Sequence, residues 1–176
     1  GLVYALDAAT GEKQWEANLD AEVTGPAAVD DGTVYAATAD GFVFALNAAD
    51  GAEQWRWQAA RGAVRSIAVT DETVVVVSPD AVHELAKPDA RERWHTESVG
   101  GAVCSAGPDT VVVGDRRDVT ALSRNDGGAD LWTFETRSVS FGDYDRSGVA
   151  VAPALVDDLV VVATEASDLY VLGTPS

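Results

Sequence analysis

Four tryptophans recur along the chain at a nearly constant interval, and this repeat constrains the fold more than any other feature. Intervals of 40, 39 and 38 residues separate Trp15, Trp55, Trp94 and Trp132. A leucine that closes an apolar stretch precedes each tryptophan. These leucines are Leu6, Leu46, Leu85 and Leu122. Self-similarity at a fixed period of about 40 residues is typical of repeat architectures, in which each repeat is one supersecondary unit.

Within each period, short runs of β-branched and aromatic residues alternate with turns rich in aspartate and glycine. In the first two copies, Gly11 and Gly51 stand in the turn between leucine and tryptophan, where glycine supplies the positive φ of a tight turn. Four short strands per period, with no helical periodicity, predict an all-β chain of four-stranded antiparallel β-propeller blades. The repeat tryptophans are then expected to fill the space between neighbouring blades.

The strands of a blade are named A to D from the central channel to the rim. The pattern predicts A strands near residues 24–29, 64–69, 102–106 and 149–155, and B strands near 33–38, 73–78, 110–114 and 159–164. It predicts C strands near 1–6, 41–46, 81–85, 118–122 and 168–172, and D strands at the four tryptophans. The chain is therefore predicted to be a single partial propeller over residues 1–176, with about four blades. Its repeats are a half blade at 1–20, blades at 21–60, 61–98 and 99–136, and a partial blade at 147–176.

The segment Leu6-Asp7-Ala8-Ala9-Thr10-Gly11-Glu12-Lys13-Gln14-Trp15 resembles the repeat of PQQ-like β-propellers. That blade is shared by quinoprotein alcohol dehydrogenases and by BamB-type outer-membrane assembly lipoproteins, and the resemblance covers essentially the whole chain. It implies a ring of seven or eight blades, of which four blades are about half. The motif is specific for the blade type and not for the quinone, because its tryptophan and glycine are structural in members with and without the cofactor.

The resemblance leaves two functions open. The first is a non-enzymatic scaffold or binding module that mediates protein or small-ligand interaction. The alternative is a fragment of a PQQ-dependent quinoprotein dehydrogenase, an oxidoreductase whose family uses adjacent disulfide-bonded cysteines, a calcium ion and an aspartate base. Cys104 is the only cysteine, so PQQ is not expected to bind this chain alone and the binding module is preferred. A sensor or cell-surface module fits the same residues, and the resemblance favours an extracytoplasmic or cell-surface location.

The chain is strongly acidic, with 29 acidic residues against 12 basic ones and a net charge of −17. Such a field opposes binding to phosphates, so nucleic acid is not an expected partner. In molar salt the Debye length falls to about 3 Å, and dense surface carboxylates stop repelling one another. Together with the preference for arginine over lysine, the composition predicts a halophilic archaeal source. An acidic patch for a cationic partner is the alternative interpretation.

The blade arrangement divides these charges between two faces. In a propeller the A–B and C–D turns lie on one face and the D–A and B–C connections on the other. Aspartates crowd the first face, whereas the second receives a group of arginines. We therefore predict a site for a small anionic ligand or an acidic partner segment on the second face, with pairing to adjacent aspartates as the alternative. The candidate ligand-binding residues are Arg61, Arg65, Arg116, Arg117, Arg137 and Arg146.

One connection, between the last D strand and the last A strand, is about ten residues longer than its counterparts. Asp143, Asp145 and Ser147 stand at alternate positions in it, as in the opening of a calcium loop. The ninth and twelfth positions of such a loop are Val151 and Ala154, so the usual bidentate acid is missing. The segment is predicted to be either a weak Ca²⁺ site or a solvated loop.

Few other features bear on function. Four blades either form an open arc with exposed sheet edges, or two chains complete a ring, or the chain closes on itself and displaces one surplus C strand. Exposed edges invite pairing, so a homodimer that completes the ring is the preferred interpretation. No apolar run of about 18 residues is present, and no transmembrane segment is predicted.

His83 and His95 are the only histidines, and their spacing matches no catalytic pattern. Cys104 lies among small apolar residues and is expected to be buried and inert.

Overall fold

The computed structural model describes the chain except for residues 60, 61, 98, 100, 116, 117, 138, 142, 143, 147, 157, 158, 167 and 174–176, and it gives only the backbone of residues 139–141 and 144–146. The described residues form 19 strands and no helix. The described residues therefore contain no helix that is long and apolar enough to cross a membrane.

The strands are grouped into five blades and one hairpin. Blade 1 consists of β1 (Leu2–Leu6) and β2 (Lys13–Asn18). Blade 2 consists of β3 (Ala28–Asp30), β4 (Thr33–Ala37), β5 (Phe42–Asn47) and β6 (Glu53–Gln58). Blade 3 consists of β7 (Ser66–Val69), β8 (Thr73–Val77), β9 (Val82–Ala86) and β10 (Glu92–Thr96). Blade 4 consists of β11 (Val103–Ala106), β12 (Thr110–Gly114), β13 (Asp118–Ser123) and β14 (Asp130–Glu135). After the hairpin of β15 (Val139–Phe141) and β16 (Tyr144–Arg146), blade 5 consists of β17 (Ala154–Val156), β18 (Leu159–Ala163) and β19 (Leu169–Gly173).

Blades 2, 3 and 4 are antiparallel sheets in which consecutive strands pair, so their strands are A, B, C and D in chain order. The all-β prediction of four-stranded blades is confirmed. Blade 1 contains a C and a D strand, and blade 5 contains A, B and C strands. The C and D strands of blades 1 to 4 share one irregularity, a register shift near the closing leucine of the C strand. Such a β-bulge changes the face to which the bulged residues point.

The A strands of blades 2 and 5 are shorter than the sequence predicts. β3 begins at Ala28 rather than near residue 24, and β17 begins at Ala154 rather than near residue 149. Before each strand a single bridge pairs with the residue that directly follows the B strand. The bridges are Val23 with Thr38 and Val149 with Thr164. Pro26 and Pro153 stand between bridge and strand, and proline has no N–H to donate to a ladder.

The insertion after blade 4 contains a hairpin, where the sequence suggests a loop. β15 pairs with β16, with Val139 opposite Arg146 and Phe141 opposite Tyr144. The β-branched and aromatic residues of this segment favour paired strands, which is the physical reason for the difference.

The core lies between successive blades rather than within one sheet. Four clusters of buried side chains fill the interfaces of blade 1 with 2, 2 with 3, 3 with 4, and 4 with 5. In the B strand of blade 3, Val74 and Val76 pack toward blade 2 while Val75 and Val77 pack toward blade 4. Each inner sheet therefore buries both faces, which is why the blades stack in sequence.

Trp15, Trp55 and Trp94 lie at these interfaces, whereas Trp132 is in none of the four clusters. Trp15 is 9% exposed, Trp55 and Trp94 are half-buried, and Trp132 is 37% exposed. The expectation that all four are core residues is wrong for Trp132. Its D strand, β14, lies beside blade 5, in which no described residue forms a D strand.

Trp15 shows how a repeat tryptophan packs on the next blade. Its indole N–H donates to the Ala48 carbonyl at 2.8 Å, in the C–D turn of blade 2. A Cβ on Gly51 would lie 2.7 Å from the Trp15 ring. Gly11 and Gly51 have φ of +73° and +75°, the conformation that the turn pattern predicts. Glycine is therefore required at position 51 both by its φ and by the tryptophan above it.

Backbone hydrogen bonds tie the A–B turn of each complete blade to its C–D turn. These are Ala48 N to Gly32 O at 2.8 Å, Lys87 N to Glu72 O at 3.0 Å, and Arg124 N to Asp109 O at 2.9 Å. The two kinds of turn therefore lie on one face, called the turn face below. The D–A and B–C connections lie at the opposite strand ends and form the connection face.

Candidate functional site

A pocket of about 610 Å³ lies between blades 2 and 3, at the strand ends that belong to the connection face. Trp57 forms one wall from β6 of blade 2, and the other residues come mainly from blade 3. The polar lining residues are Gln58, Ser78, Asp80, His83, Glu92, His95 and Glu97. Both histidines of the chain therefore lie in one pocket.

The strand register of blade 3 brings the two histidines together. His83 on β9 is the direct cross-strand partner of His95 on β10, and side chains at such positions lie on the same face of the sheet. Glu92 precedes His95 by three positions, which in a regular strand would place it on the opposite face. The register shift between Glu92 and Trp94 removes this mismatch, and the Glu92 carboxylate reaches both imidazoles.

Glu92 joins the two histidines through both of its oxygens. His83 Nδ1 lies 2.8 Å from Glu92 Oε2, and His95 Nδ1 lies 2.8 Å from Glu92 Oε1. Burial alone would raise the pKa of Glu92, but the hydrogen bonds from the histidines outweigh it and the pKa is lowered. An ionised carboxylate only accepts hydrogen bonds, so each imidazole donates from Nδ1.

The three side chains differ in exposure. The His83 side chain is 8% exposed, whereas those of Glu92 and His95 are 34% and 52% exposed. Trp57 packs edge-on against His83 with ring centroids 4.8 Å apart, and the two imidazole rings are 5.6 Å apart. The cluster thus has a fixed, buried member and an accessible side. Each of the three residues offers one atom that could bind a metal ion, and these three atoms lie within 4.8 Å of one another.

The cluster is absent from the sequence-based candidates, although the repeat holds a signal for it. His83 stands two positions before the C-strand leucine Leu85, and His95 stands one position after Trp94. In blade 2 the same offsets give Phe44 and Arg56, which are cross-strand partners. Aligning the leucine-to-tryptophan hairpins would therefore have placed the histidines opposite each other.

A second polar cluster lies at the interface of blades 3 and 4, on the turn face. Arg124 Nη2 lies 2.9 Å from Glu84 Oε1, with side chains 9% and 3% exposed. Arg124 also donates to the carbonyls of Gly107 and Pro108 and to the Thr73 hydroxyl. Its donors are committed to blade 3 and to the A–B turn of its own blade 4, so this cluster joins blades rather than presenting a free cation.

The structure describes part of the predicted arginine site. Arg65 is exposed just before β7, and Arg137 lies after β14, so both belong to the connection face. Arg137 forms a bidentate pair with Asp168 at 3.0 and 3.1 Å. Arg146 is in β16, but its side chain is not described. Arg61, Arg116 and Arg117 lie outside the described residues.

The predicted calcium site falls largely outside the described residues, which include neither Asp143 nor Ser147. Asp145 lies in β16 opposite Ser140. The Ca²⁺ hypothesis therefore stays a prediction.

The residues of this chain do not fit the quinone site that the resemblance implies. That site needs two adjacent cysteines, and Cys104 is the single cysteine of the sequence. Its thiol is buried, and burial raises its pKa to about 11, so it is neither paired nor readily ionised.

The chain is similar to proteins of one family and one fold. The sequence profile of a family described as outer membrane protein assembly factor BamB matches residues 1–127. No curated protein matches the chain. The crystal structure of BamB from Moraxella catarrhalis superimposes with a TM-score of 0.75 at 22% identity, over 98% of this chain and 52% of that one.

Two computationally designed proteins have the same fold. Ika8 superimposes with a TM-score of 0.82 at 17% identity, over 97% of this chain and 52% of its own. Ika4 superimposes with a TM-score of 0.79 at 17% identity, over 94% of this chain and 100% of its own. This chain thus spans about half the length of BamB and Ika8 and the whole length of Ika4. With residues 1–127 matched and the blades arranged as in these β-propellers, the chain belongs to the BamB family of PQQ-like repeat proteins.

Proposed function

We propose that this chain is a non-enzymatic binding module that engages a protein partner or a small ligand through its connection face. The observation that carries the proposal is the pocket of about 610 Å³ at that face, a size within the range of ligand sites. The family description, an outer membrane protein assembly factor, supports interaction with proteins. Loops held by a rigid scaffold are the usual place for such contacts.

Outside that pocket, whose lining includes the carboxylates of Asp80, Glu92 and Glu97, charge supports an acidic segment or a small anion as a second ligand of the connection face. Arg65 and Arg137 lie there, while the turn face carries aspartates such as Asp31, Asp50 and Asp109. Arg137 is 65% exposed on its side chain even though it pairs with Asp168, so a ligand carboxylate can compete for its guanidinium. In an exposed pair the competition costs little, because such pairs contribute only about 0–1 kcal/mol.

A binding titration tests this proposal. A labelled poly-glutamate peptide and inorganic tripolyphosphate are titrated into the full chain at low and at molar salt. We expect saturable binding that weakens at least several-fold in the Arg65→Ser/Arg137→Ser variant. A second variant, Arg116→Ser/Arg117→Ser, tests the arginines outside the described residues. Arg56→Ser is the matched control, since Arg56 is an exposed arginine of the D strand β6 paired with Glu53. Absence of binding, or equal affinity in all variants, would overturn the proposal.

A homodimer that completes a ring belongs to the same proposal. The outer side of β1 exposes Leu2, Tyr4 and Leu6, which are 46, 50 and 59% exposed. The outer side of β19 exposes Leu169 and Val171, at 68 and 59%. Alternate residues of both strands pack on their neighbouring blades, so each terminal sheet has one apolar face without a neighbour among the described residues.

Sedimentation equilibrium decides between dimer and monomer. We expect wild-type dimers at micromolar concentration and monomers for the Leu6→Asp/Leu169→Asp variant. Leu131→Asp, at an exposed rim position of β14, is the control and is expected to leave the dimer intact. A monomeric wild-type chain contradicts this part of the proposal.

The two remaining hypotheses have direct tests. An absorbance titration with pyrroloquinoline quinone plus Ca²⁺ tests the dehydrogenase alternative, for which we expect no spectral change. Calorimetric titration with Ca²⁺, compared with Asp143→Ala, tests the predicted calcium loop. No heat at millimolar Ca²⁺ would end that hypothesis.

A further inference from the structure

We propose that His83, Glu92 and His95 form a binding site for a divalent first-row transition ion of the Zn²⁺ class. The proposal rests on the convergence of these three side chains in the pocket between blades 2 and 3. It deepens the proposed function of that pocket and does not depend on Arg65 or Arg137, which do not line it. It assigns a role to the chain's only two histidines.

Donor chemistry selects this class of ion. Two imidazoles and one carboxylate suit Zn²⁺, Cu²⁺, Ni²⁺ and Fe²⁺, whereas Ca²⁺ and Mg²⁺ prefer oxygen ligands alone. Among the described residues, no other group of three or more histidines, cysteines or acids has this geometry. The nitrogens therefore distinguish the site from the many carboxylates on the surface.

Only small movements separate the present arrangement from a coordination shell. Ligand atoms lie within 4.8 Å of one another, and tetrahedral Zn²⁺ holds nitrogen and oxygen ligands at about 2.0–2.2 Å. The ion replaces the two hydrogen bonds from Nδ1 to Glu92, and each imidazole then carries its proton on Nε2. An imidazole that is protonated before binding releases that proton to water as it becomes a ligand, and no redox step is involved.

The surroundings favour a cation and leave room for further ligands. Asp80 and Glu97 also line the pocket, so two more carboxylates are close to the cluster. Trp57 covers His83 on one side, while the half-exposed His95 keeps the other side accessible to water. A site with three protein ligands and an open position binds water as its fourth ligand.

The ion would be held on one rigid hairpin. His83 and His95 are cross-strand partners of β9 and β10, and Glu92 is fixed by the bulge at the start of β10. Because the ligands come from a single formed sheet, binding stabilises the folded state without a large rearrangement. A shift in the unfolding midpoint with ion concentration is the direct consequence.

Isothermal titration of the metal-free full chain with ZnCl₂ tests the proposal. We expect one saturable site. His95→Gln and Glu92→Gln should each weaken Zn²⁺ binding by at least about tenfold, because even the loss of a residue that only hydrogen-bonds a metal ligand typically has an effect of this size. His95 is exposed, so His95→Gln is not expected to disturb folding. Glu53→Gln is the matched control, because Glu53 stands at the equivalent bulge of blade 2 and lies beside Arg56 rather than a histidine.

Two further measurements make the outcome decisive. Co²⁺ in a tetrahedral protein site absorbs visible light much more strongly than aqueous Co²⁺, and we expect this strong band in the wild type and a weaker one in His95→Gln. Zn²⁺ at a fixed concentration is expected to raise the unfolding midpoint of the wild type and of Glu53→Gln by the same amount, and that of His95→Gln by less. Absence of saturable Zn²⁺ binding, equal binding in His95→Gln, or displacement of Zn²⁺ by an equal concentration of Ca²⁺ would each overturn the proposal.

Discussion

Blades 2 and 3 have the same strand order and register but carry different side chains at two neighbouring positions of their C strands. Blade 2 has Phe44 and Ala45 there, and blade 3 has His83 and Glu84. All four side chains are buried. The polar pair is tolerated because each member has a partner on a neighbouring element, Glu92 for His83 and Arg124 for Glu84. The repeat therefore fixes the backbone while leaving these paired positions free to acquire chemistry.

The largest expected effect comes from breaking the polar interface of blades 3 and 4. Arg124→Ala leaves the Glu84 carboxylate buried without its partner, and we expect a loss of about 3–5 kcal/mol in the free energy of unfolding. Denaturant titration measures it. The double variant Glu84→Ala/Arg124→Ala resembles the interface of blades 1 and 2, where Ala5 and Ala48 occupy these positions. The double variant should lose less free energy of unfolding than Arg124→Ala alone. A loss equal to the sum of the losses of the two single variants would contradict the comparison.

The C–D turns give the next effect, in opposite directions for the two blades. Gly51 of blade 2 has φ of +75° below the Trp15 ring, whereas blade 3 places Ala90 at φ of +55° in the same position. We expect Gly51→Ala to cost about 2 kcal/mol or more, because it adds both backbone strain and overpacking. Ala90→Gly should instead stabilise by about 0.5–1 kcal/mol through relief of strain. Thermal unfolding of both variants measures the direction of each change in stability. A loss of stability in Ala90→Gly would show that Ala90 is not strained.

The indole hydrogen bonds extend the comparison to blade 4. The Trp55 N–H donates to the Lys87 carbonyl at 2.6 Å, whereas the buried Trp94 N–H has no hydrogen-bond partner among the described residues. The C–D turn of blade 4, which lies beside Trp94, is one residue longer than that of blade 2. Its closing hydrogen bond runs from Gly128 N to Ser123 O, five positions back, whereas that of blade 2 runs from Gly51 N to Asn47 O, four positions back. Trp55→Phe should therefore cost about 1–2 kcal/mol more than Trp94→Phe. Chemical denaturation of the two variants measures the difference, and equal losses would contradict this account.

The smallest effect concerns the thiol where blade 4 packs on blade 3. Burial raises the pKa of Cys104 from 9.0 to about 11, so folding favours the protonated thiol. Its contribution to stability is complete below pH 9 and is lost as the pH rises from 9 toward 11. Between pH 9 and pH 10 we expect a loss of about 1 kcal/mol relative to Cys104→Ala. Urea unfolding of both proteins at the two pH values measures it, and parallel pH profiles would show that the thiol does not titrate as described.

The sequence predicted the blades because their information is local and repeated. Leucine, turn and tryptophan recur at nearly constant spacing, so strand types followed from any one copy. The broken A strands were missed because Pro26 and Pro153 act within strands that otherwise have the right pattern. Arg124 and Glu84 are 40 positions apart and meet only when blades stack, so a one-dimensional pattern did not reveal them. The histidine pair was within reach of a hairpin alignment, but the position of Glu92 depends on a bulge that residue spacing alone does not predict.

That bulge also makes the arrangement transferable. Every C–D hairpin from blade 1 to blade 4 has the same register shift, and in blade 2 it already places Glu53 beside Arg56. A gene that duplicates such hairpins can acquire a chelating group in blades 2 and 4 through changes at two cross-strand positions, because Glu53 and Asp130 already stand where blade 3 has Glu92. Blade 1 has Lys13 at that position. In blade 2 those changes are Phe44→His and Arg56→His, which makes this hairpin a natural place to graft a second site.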